Sequence, residues 1–430
     1  MKALGIDIGT TTVSGVAVDI ETGETSSVIT ETCNAFLPSE HPWERIQSAD
    51  ILLQTAKRMT ETLIDSDTVC IGISGQMHGI LYTDANGDAV SPLYTWQDGR
   101  GDLEYKGTTY AKALGSCTGY GSVTDLYNVT NGIRPSNAVS YCTVGDYLAM
   151  RLCKKKAPVM HASNAASLGC FDIEKSRFNY NCGIDVVNNY HMLGKYGDIP
   201  VSVAIGDNQA SVFSSLKNEG DMVVNVGTGS QISIVCDRIV NAEGIETRPF
   251  FDGKYIAVGA ALCGGRAYSV LKDLFSDILS YASDISDDKV YRIMEEAARK
   301  ADSHSLLVDT RFAGTRQDKS IRGSIERIDT SNLRAGELVL GVLDGIVDEL
   351  YKLYLNMGIE HTSIIGTGNG IRKNPLLVSA IEERFGAKLK IPHHNEEAAY
   401  GAALFSMISC GVKKDLDDAQ GLVSYSSNIL

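Results

Sequence analysis

The sequence predicts an α/β fold made of two similar halves, and two observations support this. Short β-rich segments alternate with longer helical segments along the 430 residues, which is typical of α/β architecture. In each half, two predicted strands flank a turn rich in glycine and threonine, residues 9–12 (GTTT) in the first and 227–230 (GTGS) in the second. This echo suggests two duplicated domains that face each other, residues 1–210 and 211–430.

The elements of the first half follow from apolar spacing. Its predicted strands are short, apolar and rich in β-branched residues: 3–8, 13–19, 68–74 and 201–205. Apolar residues near helical spacing predict a helix over residues 43–63. A second helix is predicted over 208–216, directly after the last strand.

The second half repeats this alternation. Residues 221–226, 231–237 and 362–365 predict strands, and residues 335–357 predict a long helix. Two further helices are predicted over 375–385 and over 398–409, the latter rich in small apolar residues.

The composition indicates a globular protein with a sizeable core. Hydrophobic residues make up 43% of the chain and charged residues 21%, as in ordinary globular domains. The net charge of −14 argues against nucleic acid as a partner, because phosphate contacts need clustered Lys and Arg. We find neither a signal peptide nor an apolar stretch of about 20 residues that would span a membrane. We expect a cytoplasmic protein without membrane partners, either a monomer or a homodimer.

Three turns rich in glycine each follow a predicted strand: 9–12, 227–230 and 366–370 (GTGNG). Glycines let the backbone approach a ligand closely, and the exposed N–H groups of such turns bind anions. One such turn would more often be plain hairpin chemistry, but three in one chain indicate phosphate binding. The chain contains no Walker A sequence, G-x-x-x-x-G-K-[ST], which argues against a P-loop.

Asp7 lies at the end of the first predicted strand, beside the first turn. A carboxylate there would hold Mg²⁺ directly or through water, and Mg²⁺ bridges nucleotide phosphates. The alternative is that Asp7 only accepts hydrogen bonds from turn amides. The residue pattern leaves both interpretations open.

Asp207 follows a predicted strand and precedes a predicted helix. Ligands of open α/β sheets gather at the carboxyl ends of strands. Phosphoryl transfer to an alcohol needs a carboxylate that accepts the hydroxyl proton. Alternatively, Asp207 only caps the helix, which is a common role for Asp. The pattern alone does not decide between the two.

Two polar segments are suited to binding a polyol. Gln76 and His78 offer an amide and an imidazole group. Trp96, Gln97 and Asp98 add an aromatic face, an amide and a charge. A Trp face suits the C–H surface of a sugar, although Trp and His are also ordinary structural residues.

Together these segments resemble the FGGY carbohydrate kinases over nearly the whole chain. Residues 5–11 (GIDIGTT) resemble the family's first phosphate motif, and 224–229 (VNVGTG) resemble its second. Residues 366–375 (GTGNGIRKNP) are similar to the adenosine motif, and 398–404 (AAYGAAL) to the helix that follows it. Residues 206–210 (GDNQA) are similar to the catalytic segment.

The resemblance implies two actin-like (ribonuclease-H-like) domains facing a central cleft, with the sugar mainly on the N-terminal domain and ATP mainly on the C-terminal one. It implies Asp207 as catalytic base, Asp7 as the metal-binding residue, and ATP and Mg²⁺ as cofactors. The residues that we assign to the sugar are Gln76, Met77, His78, Trp96, Gln97, Asp98 and Asn208. The residues that we assign to ATP are Thr10, Thr11, Thr12, Gly227, Thr228, Gly229, Gly265, Gly366, Gly368, Asn369 and Asn374.

Within the family, different segments point to different ketoses. Residues 74–79 (SGQMHG) and Asn208 are similar to members that phosphorylate D-xylulose. Residues 95–100 (TWQDGR), 164–167 (NAAS) and 314–316 (GTR) are more similar to members that phosphorylate sedoheptulose. The resemblance implies an ATP-dependent kinase that forms sedoheptulose 7-phosphate, with D-xylulose 5-phosphate as the alternative product.

Two other classes are less favoured. A non-catalytic sugar or nucleotide sensor on the same scaffold needs neither Asp207 as a base nor Asp7 as a metal ligand. A chaperone-like ATPase would lack the sugar-facing set of Gln76, His78 and Trp96.

Overall fold

The computed structural model describes residues 1–180, 182–281, 286–301, 304–315 and 318–426. Arg316, the last residue of the segment 314–316 compared above, lies outside them. The chain forms two compact units, each with its own β-sheet. Unit 1 contains Met1–Lys217, Arg248–Tyr255 and His394–Ser424, whereas unit 2 consists mainly of Asn218–Thr247 and Ile256–His393. This mixed architecture confirms the predicted α/β class.

The sheet of unit 1 contains the strands β1 Lys2–Ile8, β2 Thr12–Asp19, β3 Thr25–Thr32, β4 Thr68–Gly75, β5 Met192–Tyr196, β6 Ile199–Ser202 and β7 Ile205–Gly206. Their order is β5-β6-β4-β1-β2-β3, and β7 also pairs with β4. β1 and β2 form the predicted antiparallel hairpin, whereas β1, β6 and β7 each run parallel to β4. The carboxyl ends of β1, β4 and β7 therefore meet at one edge of the sheet.

The sheet of unit 2 contains β8 Asp221–Val226, β9 Ser230–Cys236, β10 Ile245–Pro249, β11 Tyr255–Ala261, β12 Ser363–Thr367 and β13 Leu389–Lys390. Their order is β10-β11-β9-β8-β12-β13. β8 and β9 form the second predicted hairpin, and β12 runs parallel to β8. The two Gly/Thr turns at 9–12 and 227–230 thus occupy equivalent hairpins of the two sheets.

The helices are α1 Ala49–Leu63, α2 Tyr110–Ala113, α3 Gly121–Thr130, α4 Val144–Leu152, α5 Ala162–Ser167, α6 Asp207–Ser215, α7 Gly265–Ser280, α8 Asp287–Arg299, α9 Ala335–Met357, α10 Asn369–Lys373, α11 Pro375–Phe385, α12 Glu397–Ser409 and α13 Leu416–Gln420, with a 3₁₀ turn at Arg100–Asp102. Short strand pairs are Ile46–Gln47 with Leu93–Tyr94, Leu81–Thr83 with Ser140–Cys142, Glu104–Tyr105 with Thr108–Thr109, Val159–His161 with Asp185–Val187, Phe171–Asp172 with Arg177–Phe178, and Leu307–Asp309 with Ser324–Glu326. The predicted bounds of α9 and α11 are confirmed.

The first helix is shorter than its spacing predicts. It begins at Ala49 instead of residue 43, because Ser48 caps it: Ser48 Oγ accepts from the N–H of Ile51 at 3.3 Å. Ile46–Gln47 pairs with Leu93–Tyr94 as a short strand. A local cap therefore overrides the apolar spacing before it.

Helix α12 packs closely on the sheet of unit 1. A Cβ on Gly5 of β1 would lie 1.7 Å from the carbonyl oxygen of Ala399, and a Cβ on Gly72 of β4 would lie 1.8 Å from that of Ala402. The helix is buried without interruption from residue 399 to residue 408. Since a helix that is apolar all round needs burial on every side, the segment 394–424 belongs to unit 1. The predicted boundary between residues 210 and 211 would have placed it in the second half.

The core of unit 2 lies between its sheet and its long helices. Apolar side chains of β8 and β9, including Val224 and Ile232, form one cluster with α9 residues such as Leu343 and Ile346. α9 ends at Gly358, whose φ of 60° is left-handed, as is common at helix ends. Among the residues that the structure describes, no helix has the length and apolar character needed to cross a membrane.

Candidate active site

Strand register brings Asp7 and Asp207 to the same sheet edge. Ile8 at the end of β1 is opposite Gly75 of β4, and Gly75 is opposite Gly206 of β7. Asp7 is one residue before the first of these positions and Asp207 one residue after the last. The two carboxylates thus come from strand ends that flank β4, as expected for a site in an open α/β sheet.

Asp7 is half-buried and accepts a hydrogen bond from Ser74 Oγ at 2.9 Å. The pKa of Asp7 is raised to about 7: burial is the main cause and the nearby charges of Asp207 and Glu396 add to it, whereas the Ser74 hydrogen bond opposes the rise. The raised pKa indicates a carboxylate that would gain from a cation beside it.

Asp207 is the first residue of α6, but Gly206 occupies the N-cap position. Asp207 Oδ1 accepts from the adjacent N–H of Asn208 at 2.7 Å. The pKa of Asp207 is raised to about 6 because burial outweighs the opposing effects of the Asn208 N–H and of the charge of the buried Arg248. At neutral pH the carboxylate is therefore ionised, yet more basic than an ordinary aspartate, as a general base requires.

Arg248 was not predicted as a site residue, because it is far from Asp207 along the chain. It lies in the segment Arg248–Tyr255, which belongs to unit 1. Gln209 Nε2 of α6 donates to the carbonyl of Pro249 at 3.1 Å, and this contact holds the segment beside the start of the helix.

Buried amide side chains hold the turn between β1 and β2. Gln47 Nε2 donates to the carbonyl of Thr10 at 2.6 Å, and Gln47 Oε1 accepts from Gln76 Nε2 at 2.9 Å. Gln76 Nε2 also donates to the carbonyl of Gly9 at 3.3 Å. The Gln76 amide, which the sequence suggested for the sugar, is therefore committed to the shape of the turn.

Trp96 contacts the same turn through its indole. Nε1 donates to Thr10 Oγ1 at 2.9 Å, while 46% of the residue stays exposed. Thr11 is exposed and Thr12 is half-buried, and the N–H of Gly9 donates to the carbonyl of Thr12 at 2.9 Å. The exposed ring suits the C–H surface of a sugar, and the turn keeps its threonines available to an anion.

His78 adopts a backbone conformation that is uncommon for a non-glycine residue, with φ of 73°. Its Nδ1 lies 2.7 Å from the carbonyl oxygen of Ser167, and its ring stacks on Tyr120 with 4.3 Å between centroids. Met77 is buried, and its Sδ lies against Gly206, 2.7 Å from the position that a Cβ there would take. Strained residues of this kind cluster at functional sites.

Asp98 is fully buried, and its carboxylate serves the local structure. Oδ1 accepts from Arg100 Nε at 2.6 Å, and Oδ2 accepts from the N–H of Arg45 at 3.0 Å. The Arg100 guanidinium in turn lies over the Tyr94 ring at 4.2 Å. Of the predicted residues 96–98, Trp96 and Gln97 are exposed, so the sugar would meet these two.

Two asparagines flank β7 with buried amide oxygens that have no hydrogen-bond partner among the described residues. Asn208 directly follows Asp207. Asn164 of α5 donates from Nδ2 to Asp146 Oδ1 at 3.0 Å and to the carbonyl of Ala204 at 3.4 Å. An unpaired buried acceptor costs about 1–3 kcal/mol, and a ligand hydroxyl would remove that cost.

Unit 2 contains a cavity of about 1060 Å³. It is lined by most of the residues of unit 2 that were assigned to ATP: Gly227, Thr228, Gly265, Gly368, Asn369 and Asn374. Gly229 and Gly366 support the turns instead: the carbonyl of Gly229 accepts from the N–H of Gly227 at 2.9 Å, and Gly366 is buried in β12. Thr10, Thr11 and Thr12 belong to unit 1.

Backbone contacts bring the start of α7 against the second turn. The N–H of Gly265 donates to the carbonyl of Gly227 at 2.8 Å, and the N–H groups of Gly264 and Arg266 donate to that of Thr228 at 3.0 and 2.9 Å. A Cβ on Gly264 would lie 2.4 Å from the carbonyl oxygen of Gly229. This close approach requires glycine.

The third turn lies against the second. Asn225 Nδ2 donates to Thr367 Oγ1 at 2.9 Å. Gly368 has φ of 84°, and a Cβ on it would lie 2.7 Å from the carbonyl oxygen of Val226. Asn374 caps α11 by accepting an N–H from its first turn at 3.1 Å.

One wall of the cavity is formed by residues that were not predicted from the sequence. Asp288, Tyr291, Arg292 and Glu295 of α8 line it together with Tyr268 of α7. Tyr268 and Tyr291 stack with 5.8 Å between centroids and 16° between planes. The spacing of the α8 residues places them on one helix face, but such a polar face is usually exposed to solvent.

The residues around Asp7 fit a Mg²⁺ ion that arrives with a nucleotide. Asp7 and Asp207 repel each other, and a divalent cation would relieve that repulsion. Within the described ranges, no group of three or more His, Cys, Asp or Glu side chains is arranged to hold a metal. Mg²⁺ commonly needs only one or two protein carboxylates when waters and phosphates complete its shell.

Comparison with known proteins identifies the family. Residues 2–119 match the profile of the "FGGY family of carbohydrate kinases, N-terminal domain", and residues 222–410 match that of its C-terminal domain. The sedoheptulokinase of Mus musculus is 27% identical over 466 residues, which cover 93% of this chain and 96% of that protein. The xylulose kinase of Staphylococcus epidermidis is 24% identical over 462 residues, which cover 96% of this chain and 89% of that protein.

Solved structures share the fold. The gluconate kinase from Lactobacillus acidophilus matches with a TM-score of 0.86 at 16% identity, covering 99% of this chain and 92% of that one. The xylulose kinase from the same organism matches with a TM-score of 0.84 at 16% identity, covering 99% and 93%. The fold is therefore the actin-like ATPase fold that the sequence resemblance implied. Because the two profiles together span most of the sequence, the chain belongs to the FGGY family of carbohydrate kinases and is a sugar kinase.

Proposed function

We propose that this kinase transfers the γ-phosphoryl group of ATP to the terminal C7 hydroxyl of sedoheptulose. The observation that carries the proposal is Asp207, an ionised carboxylate with a raised pKa at the sheet edge. The same unit contains groups suited to a polyol: the exposed Trp96 ring, the exposed Gln97, and the unpaired amide oxygen of Asn208, which directly follows Asp207.

Asp207 would accept the proton of the sugar hydroxyl as that oxygen attacks phosphorus. A pKa near 6 makes it a better acceptor than an ordinary aspartate while keeping it ionised at pH 7. Arg248 would limit the rise of this pKa, because its charge favours the ionised form. His78 and Met77 would shape the floor of the sugar site next to Gly206.

The nucleotide would bind in the cavity of unit 2, with its phosphates near the turn 227–230 and the third turn. The backbone N–H groups of such turns stabilise phosphate charge. The Gly9–Thr12 turn of unit 1 would offer threonine hydroxyls to the phosphates. A bound Mg²⁺ would neutralise phosphate charge, and Asp7 would hold it directly or through water.

The choice of sugar rests on the groups that meet the far end of the ketose. Sedoheptulose and D-xylulose present the same kind of primary alcohol to Asp207, so the base cannot distinguish them. A longer sugar offers more hydroxyls, and a site built to pair with them discriminates against a shorter analogue that leaves buried acceptors unpaired. The unpaired amide oxygen of Asn164, in a segment similar to members that phosphorylate sedoheptulose, favours the longer sugar. Asn208 is instead similar to members that phosphorylate D-xylulose, which keeps that ketose as the alternative.

The test is to compare kcat/KM for sedoheptulose and D-xylulose with purified protein, ATP and Mg²⁺. We expect sedoheptulose to be preferred by about tenfold or more, which corresponds to about 1.4 kcal/mol in transition-state binding. Phosphorus NMR of the product locates the phosphate on the terminal carbon.

Glycerol and gluconate serve as controls for a sugar kinase of other specificity. A preference of tenfold or more for D-xylulose would replace the sedoheptulose assignment by D-xylulose 5-phosphate formation. ADP release that no ketose stimulates would contradict the ketose kinase proposal as a whole.

A further inference from the structure

The Trp96 side chain is held at one point and exposed elsewhere. Its indole N–H donates to Thr10 Oγ1 at 2.9 Å, although 46% of the residue is exposed. Its backbone is packed closely, since a Cβ on Gly119 would lie 2.0 Å from the carbonyl oxygen of Trp96. Trp96 is therefore fixed at its backbone and at its indole N–H, and the remainder of the ring is open to a ligand.

Thr10, whose hydroxyl accepts this hydrogen bond, belongs to the turn that we propose for phosphate binding. The Thr10 carbonyl is held by the buried Gln47 amide at 2.6 Å. The Thr10 hydroxyl, in contrast, donates to Gln76 Oε1 only at 3.5 Å, which is a weak contact. The indole N–H is thus the short hydrogen bond that sets the position of this hydroxyl.

We propose that Trp96 couples sugar binding to nucleotide binding through the Thr10 hydroxyl. A ketose packed on the indole face would fix the ring, the ring would fix Thr10 Oγ1, and the turn would be ordered before phosphate arrives. The inference rests on the proposed function. Such coupling is reciprocal: sugar tightens nucleotide binding by the same factor by which nucleotide tightens sugar binding.

Trp96→Phe tests the coupling, because it keeps an aromatic face for the sugar and removes the N–H donor. The measured quantity is the ratio of the Kd for Mg·ADP without sugar to the Kd with saturating sedoheptulose, by titration calorimetry. D-xylulose replaces sedoheptulose if it is the ketose that is turned over. We expect a ratio of about fivefold or more in the wild type and a ratio near one in Trp96→Phe.

The matched control is Trp43→Phe, the same substitution at the other of the two tryptophans. The Trp43 ring stacks on His41 at 4.8 Å between centroids and lies beside the Arg100 guanidinium, and none of the hydrogen bonds to Thr10 described above comes from it. It should keep the wild-type ratio. Because this variant leaves Trp96 as the single tryptophan, its emission also reports directly on sugar binding, and Mg·ADP should raise the sugar affinity by the same factor.

Thr10→Val completes a double-mutant cycle by removing the hydroxyl at nearly constant shape. The ratio in the double variant should be no lower than in Trp96→Phe alone, because the two substitutions remove the same hydrogen bond between Trp96 and Thr10. An unchanged ratio in Trp96→Phe would overturn the coupling, whatever the turnover of this variant, and would leave the kinase assignment intact. A wild-type protein without ketose-dependent ADP formation would overturn the proposed function, and the coupling with it.

Discussion

At the scale of single residues, the protonation and hydrogen bonding of Asp207 depend on its neighbours as well as on its position at the end of a strand. Gly206 takes the N-cap position of α6, so the carboxylate is not consumed by capping in the usual way. Burial raises the pKa of Asp207 to about 6, and Arg248 opposes that rise. The sequence left two interpretations open, general base and helix cap. The N-cap position of Gly206 argues against the cap, and the role of base stays a prediction.

We expect Asp207→Asn to lower kcat by about 10² to 10⁴ and to leave the affinity for ATP close to that of the wild type. The physical reason is that the variant removes the proton acceptor in unit 1, whereas the nucleotide cavity is lined by unit 2. Steady-state ADP formation measures the first effect and calorimetry the second. Near wild-type kcat in this variant would remove Asp207 from the role of base.

The pH dependence supplies a control for this prediction. The folded-state pKa of about 6 lies above the ordinary value of 3.8, so the wild-type kcat/KM should fall as the pH drops through about 6. Because this pKa is higher in the folded than in the unfolded state, ionisation of Asp207 lowers the free energy of unfolding above about pH 6. This loss of stability disappears as the pH falls towards 4. The uncharged Asp207→Asn should therefore melt no lower than the wild type at pH 7, which separates lost chemistry from lost folding.

At the scale of elements, glycines serve two different purposes. Gly401 of α12 faces α6 so closely that a Cβ would lie 1.9 Å from the carbonyl oxygen of Ala210. Gly227 of the second turn has open space instead: apart from its chain neighbours, the nearest atom to a Cβ there would be Asn225 Oδ1 at 3.9 Å, and the residue lines the nucleotide cavity. The first glycine permits packing, and the second keeps room for a ligand.

We expect Gly401→Ala and Gly227→Ala to separate these purposes. Gly401→Ala should destabilise the protein by about 3 kcal/mol or more in urea unfolding, because backbone has to move. Gly227→Ala should unfold like the wild type and bind ATP roughly tenfold more weakly, about 1.4 kcal/mol, because its methyl group projects where phosphate would lie. The reverse pattern, a stable Gly401→Ala or an unstable Gly227→Ala with normal ATP binding, would contradict this reading.

At the scale of the whole molecule, unit 1 is assembled from distant parts of the chain. Helix α12 covers β1 and β4 at their glycines, and it is separated from them by all of unit 2 in sequence. The apolar groove that α12 fills would be exposed if the chain ended at Lys217. Unit 2, in contrast, is nearly continuous.

We expect a fragment of residues 1–217 to lack a cooperative thermal transition, because the groove on β1 and β4 stays open to water. Co-expression with residues 394–424 should restore the transition, as followed by circular dichroism. A fragment of residues 218–393 is the control and should melt cooperatively by itself. Cooperative melting of residues 1–217 alone would show that α12 is not needed for the fold of unit 1.

The sequence by itself determined much of the fold and indicated a sugar kinase. Apolar periodicity and local caps are short-range signals, so the hairpins around 9–12 and 227–230 and the bounds of α9 and α11 were predictable. The positions of Asp7 and Asp207 at strand ends were predictable too, because they are visible in the order of residues, and their roles as metal ligand and base stay predictions. The three Gly/Thr turns indicated phosphate binding for the same reason.

Only the tertiary structure decided what each polar side chain faces. Asp98 looks like a sugar ligand in sequence but pairs with buried Arg100, and Gln76 is bound to Gln47 and the first turn. The polar face of α8 lines a cavity instead of meeting solvent, and α12 joins the unit of β1 instead of its sequence neighbours. Partners distant along the chain decide all of these, and their identity is set by packing, which local spacing does not encode.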